Sequence, residues 1–265
     1  MATDISIIGL GVGLLLLLLP LYYLYHYRTG LVHSTLGATI RMIVQLYLVG
    51  LYLQYLFEYN LWYVNLAWGL IMVAVATGTA LQRTHIRPQV LAVPLGVAFF
   101  TSALLIAIYF MGLVLGLHQT ESLDELFTAR YFIPIFGLLL GNMLGVNVVA
   151  LNTYYDGLKR EQQLYFYLLG NGATHAEATR PLIRAAMLKA FNPCIANMAV
   201  MGLVAMPGTM IGQILGGSDP SLAIKYQMMI VVITFVASML SLVITISLST
   251  SRSFDRFGRL KDIFR

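Results

Sequence analysis

The chain has 265 residues, of which 59% are hydrophobic and 10% charged. Soluble domains carry roughly 25% charged residues, so the composition excludes an ordinary soluble globular domain. The net charge of +5 falls mostly between apolar runs, so it does not indicate nucleic acid as a partner. The single cysteine, Cys194, excludes a disulfide framework within one chain.

The apolar runs predict an all-α polytopic membrane protein, because several approach or exceed the ~20 residues that cross a bilayer as a helix. We predict one transmembrane domain over 1–265 with about seven helices. These helices run over 5–25, 37–58, 61–81, 90–117, 131–151, 182–215 and 224–249. The first run has no basic n-region and no A-x-A site, so we interpret it as a mature helix rather than a signal peptide.

The distribution of basic residues predicts the orientation. With the N-terminus outside, only Arg130 and Lys225 of the 16 lysines and arginines lie on the outer side. The positive-inside rule favours this arrangement, which also puts the C-terminus in the cytoplasm. The basic tail, 250–265, then lies beside the inner leaflet, where anionic lipid is the expected contact.

Polar residues on the second helix are candidates for a pathway, because polar groups inside a membrane usually serve a function. Arg41 and Gln45 lie one turn apart on this helix, and Glu58 lies at its end. Arg41 alternatively extends to the inner head groups. Gln45 is then the better pathway candidate.

The loop "HQTESLDELFTAR", 118–130, is acidic and follows the fourth helix. Ser122 and Glu125 form a capping box, which predicts a short amphipathic helix on the outer surface. Its acidic side chains either face solvent or form a collar that attracts cations near an exit.

Further candidates in the later spans are asparagines: Asn142 and Asn147 on the fifth helix, and Asn197 on the sixth. They either line the pathway or form hydrogen bonds between helices. The sixth span is interrupted at Met206–Gly208, because Pro207 removes a helix donor. This interruption is either a structural kink or part of a gate.

After the interruption, Asp219 and Pro220 predict the N-cap and the first position of the last helix.

The polar connection 152–193 lies in the cytoplasm in this orientation and contains the segment "GNGATHAEATRPLIRAAM". Gly170 and Gly172 supply a tight turn. Thr174 then caps a helix, and Glu177 completes a capping box three residues later. The sequence therefore predicts a helix start at this turn.

Glu177, Arg180 and Arg184 follow i, i+3, i+7 spacing and share one face of this helix. Pro181 predicts a short helix over 175–180, a bend, and a new helix that begins at the proline. A short polar helix between two spans is either a docking site for a cytosolic partner or an interfacial anchor.

The sequence contains no nucleotide-binding, catalytic or preformed metal site. A G-x-x-x-x-G-K-[ST] motif is absent, and so are hydrolase and zinc-protease motifs, so no enzyme is expected. The five histidines lie at span ends without a second ligand at metal spacing. Four methionines either form an apolar stripe or suit copper(I): Met198, Met201, Met206 and Met210.

Several segments carry a resemblance to known transporters. "LLGNGATHAEATRPLIRAAM" resembles the cytoplasmic coupling loop of ABC-transporter permeases. "MGLVAMPGTMIGQILGGSDPSLAIKYQ" (201–227) is similar to the hallmark of the FetB-type (YbbM-like) iron-export permeases, which are related to plant aluminium-tolerance permeases. "IRMIVQLYLVG" (40–50) and "IPIFGLLLGNMLG" (133–145) resemble two spans of that family, and the likeness runs over 36–249.

This resemblance implies the membrane subunit of an ABC exporter in a bacterial plasma or inner membrane, acting as a homodimer. A separate P-loop ATPase would bind ATP and Mg²⁺, and the coupling loop would dock on it. The exported solute would be a metal ion, with iron implied by the family. The alternatives are an ATP-independent channel or carrier for a small solute, and a membrane scaffold with no substrate.

Overall fold

A computed structural model describes residues 6–116, 127–255, 258–261 and 264. Their regular structure is helical, apart from isolated β-bridges. The first helices are α1 (Ile7–Leu15), α2 (Leu18–His26), α3 (Val32–Tyr59), α4 (Trp62–Arg83) and α5 (Pro88–Ile108), which continues as a π-helix over Tyr109–Val114. The later helices are α6 (Ala129–Arg160), α7 (Gln162–Gly170), α8 (His175–Val200), α9 (Gly208–Leu215) and α10 (Pro220–Ser253).

Six helical stretches in the described part of the chain are long and apolar enough to cross a membrane. The first combines α1 and α2, and the others are α3, α4, α5 with its π-helix, α6 and α10. These spans confirm an all-α polytopic membrane protein with a helix count close to the prediction. The predicted span 182–215 is the exception, because it is divided between α8 and α9.

The interruption between α8 and α9 covers Met201–Pro207. Gly202 takes a φ of +89°, which favours glycine, and its N–H donates to the carbonyl of Ala205 at 2.9 Å. Pro207 is the N-cap of α9. The break predicted at Met206–Gly208 is therefore present, but it begins earlier in the chain.

The prediction of two separate helices that meet at Pro181 is wrong, because α8 runs without interruption from His175 to Val200. An interior proline costs about 3 kcal/mol through a lost hydrogen bond and a steric clash. Pro181 is exposed, while Leu182 and Ala186 on the same helix are buried in the core. Continuous packing of that buried face keeps the helix in one piece.

The polar connection predicted over 152–193 is mostly helical. Residues 152–160 complete α6, and 175–193 belong to α8, so the connection between these helices is only 161–174. The α6 extension is apolar on one side, since Tyr154 and Tyr155 are fully buried there. Burial of this side explains why the helix continues past the predicted end at 151.

The core lies where α4, α5, α6, α10 and the first half of α8 pack together. Its largest fully buried side chains include Phe99, Phe132, Phe136, Tyr154 and Tyr155. By contrast, α2 buries no residue and α3 buries Leu56 alone among its described residues. The first two spans therefore lie outside this core.

Two predicted caps have different outcomes. Asp219 caps α10, accepting hydrogen bonds from the backbone of Ser221 and Leu222, and Pro220 occupies the first helical position, as predicted. The Ser221 hydroxyl also donates to the Asp219 carboxylate. The Ser122–Glu125 capping box lies outside the described residues.

Candidate functional site

A cavity of about 240 Å³ lies between α6, α8, α9 and α10. Each of these helices contributes polar side chains to its wall: Asn142, Asn197, Thr209, Gln227, Thr234 and Ser238. The wall also includes three sulfur-containing residues of α8 and the turn after it: Cys194, Met198 and Met201. None of the described lining residues carries a formal charge.

Hydrogen bonds hold part of this polar wall in place. Thr209 Oγ1 donates to Gln227 Oε1 at 2.6 Å, and Asn142 Nδ2 donates to the carbonyl of Leu138 at 2.9 Å. Thr234 and Ser238 donate to carbonyls of their own helix at 2.8 and 2.7 Å. The Asn142 carbonyl and the Gln227 amide nitrogen thus remain available, so the wall can both accept and donate hydrogen bonds to a solute.

A second cavity, of about 560 Å³, extends the first along α6, α9 and α10, without a described lining residue from α8. Both are lined by Leu138, Thr209 and Ile230. The second cavity reaches Arg130 at the start of α6 and Ser218 before α10. Together the two cavities form one groove. It begins at the end of the helix bundle where Arg130 lies and extends to the middle of the bundle.

The predicted asparagines have different positions. Asn142 and Asn197 lie on opposite helices of the cavity wall. Asn147 is fully buried elsewhere, and its Nδ2 donates to Met143 O at 2.9 Å and to Ser241 Oγ at 2.8 Å. It therefore connects α6 to α10, which is the interhelical alternative considered above.

The other pathway candidates lie apart from the described cavity lining. Arg41, Gln45 and Glu58 are exposed along α3, outside the core. In the turn before α9, Met206 and Gly208 are exposed, and Pro207 caps the helix. The residue after Gly208, Thr209, is the first of α9 to line the cavity.

Sequence reasoning missed Thr209 and the polar face of α10. Gln227, Thr234 and Ser238 are spaced by seven and four residues, which puts them on one face of a helix. This periodic polar spacing within an otherwise apolar run was the signal that could have identified the α10 wall.

At the other end of α8, the Thr174–Glu177 capping box is confirmed. The Glu177 carboxylate accepts from the Thr174 N–H and hydroxyl, both at 2.8 Å, and the Glu177 N–H donates to Thr174 Oγ1 at 3.3 Å. Hydrogen bonds from the Thr174 backbone and hydroxyl lower the pKa of Glu177. The carboxylate is therefore ionised at neutral pH and is engaged in the cap.

The residues around this cap form an exposed turn. Gly170 ends α7, and Gly172 takes a φ of +89° in the connection to α8. Arg180 and Arg184 are exposed on the following turns of α8. This end of the helix thus presents two cations beside the capped start.

One helix joins the exposed turn to the cavity. With 26 residues, α8 is about 39 Å long at 1.5 Å per residue. It begins at the Thr174 cap and carries Cys194 and Asn197 near its far end. The exposed turn is therefore continuous with a helix that forms one wall of the cavity.

The described residues contain no cluster of three or more His, Cys, Asp or Glu side chains that could hold a metal ion. The groups that could contact a metal in the cavity are amide and hydroxyl oxygens and the sulfurs of Cys194, Met198 and Met201. Neutral ligands of this kind contact a passing ion without the tight binding of a carboxylate cluster.

Comparison with known proteins gives a family match over nearly the whole chain. The family model described as "Uncharacterised protein family (UPF0014)" matches residues 7–254. The UPF0014 membrane protein YjkA of Bacillus subtilis is 28% identical over 254 residues, covering 96% of this chain and 98% of that protein.

Two further relatives have names that refer to metals. The probable iron export permease protein FetB of Escherichia coli is 30% identical, covering 81% of this chain and 79% of its own length. Protein ALUMINUM SENSITIVE 3 of Arabidopsis thaliana is 32% identical, covering 72% of this chain and 66% of its own length. No solved structure matches the chain. With six apolar spans in the part of the chain that the structure describes, and with membrane proteins as its relatives, the chain is a multi-pass protein of the cell membrane.

Proposed function

The chain belongs to the UPF0014 family of membrane proteins, and we propose that it is the membrane-spanning subunit of an ABC exporter. The observation that carries this proposal is the continuity of α8, which begins at an exposed capped turn and ends in the wall of a polar cavity. A subunit driven by a separate motor needs such a connection between its docking surface and its pathway.

The motor is a separate P-loop ATPase, because the sequence contains no Walker A motif. ATP and Mg²⁺ bind to that subunit, and this chain needs no cofactor of its own. The docking surface comprises the turn from Gly170 to Thr174 and the exposed side chains Glu177, Arg180 and Arg184. Closure of the ATPase would press on this turn and move α8.

The exported solute is a metal ion, and the name of the relative FetB suggests iron. The cavity wall supports a transient contact with such an ion, since it offers neutral oxygens and sulfurs rather than a carboxylate cluster. A pathway requires binding that is favourable enough for entry but weak enough for release. Asn142 and Asn197 are the proposed contacts.

The working unit is a homodimer. In the single chain, Asn197 on α8 is exposed next to apolar side chains such as Ile195 and Val200. A polar amide is unfavourable against lipid, so a second copy facing this surface would enclose the groove between two identical walls. Two permeases would then bind two ATPases.

The N-terminus is outside in this proposal, and the docking turn faces the cytoplasm with Lys159, Arg160, Arg180 and Arg184. The exposed Arg252 and Arg259 of the C-terminal end would contact anionic lipid of the same leaflet.

The test is co-purification with the ATPase encoded nearest to this chain. We would compare wild type with Arg180→Glu plus Arg184→Glu, which reverses two exposed charges without altering the cap. Lys225→Glu, an exposed charge at the opposite end, is the matched control. We expect the ATPase to bind wild type and the control but not the double variant.

A wild-type chain that binds no ATPase and transports solute without ATP would contradict this proposal. That result would instead favour an ATP-independent channel or carrier.

A further inference from the structure

The residues after α10 fold back onto the end of the bundle that carries the docking turn. Asp255 and Arg259 are hydrogen-bonded to each other, with the Arg259 N–H donating to Asp255 Oδ1 at 2.7 Å and the Asp255 N–H donating to the carbonyl of Arg259 at 2.9 Å. The Lys261 N–H then donates to the carbonyl of Ser253 at 2.9 Å. We call Phe254–Asp255, 258–261 and Phe264 the C-terminal segment.

Tyr165 of α7 joins this segment to the start of α8. Its hydroxyl donates to the carbonyl of Gly258 at 2.9 Å and lies 2.8 Å from Nδ1 of His175. A hydroxyl has one proton, so His175 Nδ1 is the donor in the second bond. The Tyr165 side chain is only 3% exposed, so both bonds are shielded from water.

Aromatic contacts reinforce the same junction. The rings of His175 and Phe254 meet edge to face with centroids 4.4 Å apart, and Tyr165 lies 5.8 Å from Phe254. The first residue of α8 therefore touches both α7 and the residue that follows α10. Burial lowers the pKa of His175, so the imidazole at this junction is neutral at physiological pH.

The C-terminal segment is also fixed to the remaining helices. Tyr155 on α6 shares a 2.7 Å hydrogen bond with Ser253, at the end of α10. Phe264 forms a β-bridge with Ile86, between α4 and α5, and Lys159 Nζ lies 4.7 Å from its ring. The segment is thus held at both ends and cannot follow α8 passively as a loose tail would.

The helices that meet at this junction also form opposing parts of the cavity wall. Cys194 and Asn197 belong to α8, and Gln227 and Thr234 belong to α10. Near the cavity the two helices touch through Phe191 and Phe235, whose ring centroids are 5.3 Å apart. The junction at Tyr165 gives them a second connection at the docking end.

We infer that Tyr165 is a positioning residue that makes α8 and α10 respond together when an ATPase acts on the docking turn. This inference rests on the proposed function. Movement of the docking turn reaches α8 directly, because the turn continues into that helix. It reaches α10 through Tyr165, Gly258 and the C-terminal segment. Without the Tyr165 hydroxyl, only ring contacts would join α8 to α10 and the residue after it, so α10 would follow α8 less closely.

The experiment compares Tyr165→Phe with Tyr167→Phe, in the complex with the ATPase reconstituted in vesicles. The first substitution removes two buried hydrogen bonds and keeps the ring, whereas Tyr167 is 67% exposed on the same helix. The readouts are ATPase retention, ATP hydrolysis and the amount of iron moved per ATP.

We expect Tyr165→Phe to retain the ATPase and hydrolyse ATP, but to move about tenfold less iron per ATP, a factor in keeping with two lost hydrogen bonds. Tyr167→Phe should match wild type. Normal transport per ATP in Tyr165→Phe, with the complex intact, would overturn the inference.

Two other results are separable from this one. If the wild-type chain does not retain the ATPase, the proposed function is wrong, and this result is distinct from a failure of the role inferred for Tyr165. If Tyr165→Phe does not fold, His175→Phe replaces it, because that change removes the Nδ1 donor and keeps an aromatic ring beside Phe254. The same loss of transport per ATP is expected, and normal transport would again overturn the inference.

Discussion

Thr209 Oγ1 donates to Gln227 Oε1 at 2.6 Å, and this bond joins the short helix α9 to α10 beside the cavity. Gln227 is buried, while Thr209 lies at the exposed edge. Since α9 follows the irregular turn Met201–Pro207, its position depends on side-chain bonds of this kind more than on helix continuity.

We predict that Thr209→Val increases leak of iron through the reconstituted permease in the absence of ATP. Valine has the shape of threonine without the hydroxyl, so α9 loses its bond to Gln227. We expect the rate of leak to rise about fivefold, which is the factor that corresponds to the loss of one hydrogen bond. Efflux from loaded vesicles measures it, and Thr79→Val, which removes an exposed hydroxyl bonded within α4, is the control.

If the rate of leak in Thr209→Val were unchanged, the prediction would be wrong. The bond to Gln227 would then not be needed to hold α9 or to limit passage of iron through the cavity.

Alanine substitutions of Asn142 and Asn147 should affect different properties, transport for Asn142 and stability for Asn147. We predict that Asn147→Ala lowers the free energy of unfolding by about 1–2 kcal/mol, because it removes an interhelical bond to Ser241 within the membrane. Asn142→Ala should leave stability nearly unchanged and reduce transport, since Asn142 lies at the cavity with its amide bonded within α6. Denaturation in detergent and vesicle flux measure the two effects, and equal stability of both variants would contradict this assignment.

Asn197→Asp should convert a transient contact into a tight one. The change adds a carboxylate to a wall whose described members are uncharged. Attraction between the carboxylate and a metal cation in a low-dielectric site is strong, so we expect KM for iron to fall about tenfold and the maximal flux to fall with it. Asn197→Gln is the control, and an unchanged KM would place the cation path elsewhere.

The cap at the start of α8 gives a pH prediction. The pKa of Glu177 lies below its ordinary 4.5 because it accepts hydrogen bonds from Thr174. A carboxyl with a depressed folded pKa adds stability that is present above its unfolded pKa and is lost as pH falls through the folded pKa.

Hydrogen exchange in the first turn of α8, measured relative to α6, should therefore show constant protection at neutral pH and a loss that begins below about pH 4.5. Glu177→Gln keeps an acceptor oxygen for Thr174 and should remove most of this pH dependence. A Gln variant that loses protection at the same pH as wild type would assign the effect to another group.

Pro181→Ala tests whether α8 acts as one continuous helix. Because the helix already continues through Pro181, alanine restores a missing hydrogen bond, and we expect stability to rise by up to about 3 kcal/mol with transport retained. If Pro181 were a hinge, stability would rise in the same way but transport would be lost. Thermal unfolding and flux on the same preparation decide between them.

The sequence predicted those features that depend on neighbours along the chain. The caps at Thr174 and Asp219 are local patterns, and the structure contains both. The continuity of α8 through Pro181 was not predictable, because it depends on packing of Leu182 and Ala186 against other helices. Helix propensity along the chain predicts how much a proline destabilises a helix, but it does not reveal the contacts with other helices that offset this loss.

The candidate site was less predictable for a related reason. Asn142 and Asn147 are five residues apart on one apolar helix. In the sequence both are amides within a membrane span, so the sequence cannot distinguish their roles. Only the position of α10 decides that one meets Ser241 and the other a cavity. Gln227 was missed although Thr234 and Ser238 follow it on the same face of α10, because an amide and two hydroxyls in an apolar run do not show which helix faces them.

Cys194 lines the cavity, and it is the one cysteine in the sequence. In the proposed exporter, the single thiol of this chain lies where access from the two sides of the membrane would alternate. A membrane-impermeant maleimide can report that access without any cysteine being removed or introduced. Labelling rates with and without ATP would follow the opening of this cavity in the unaltered chain.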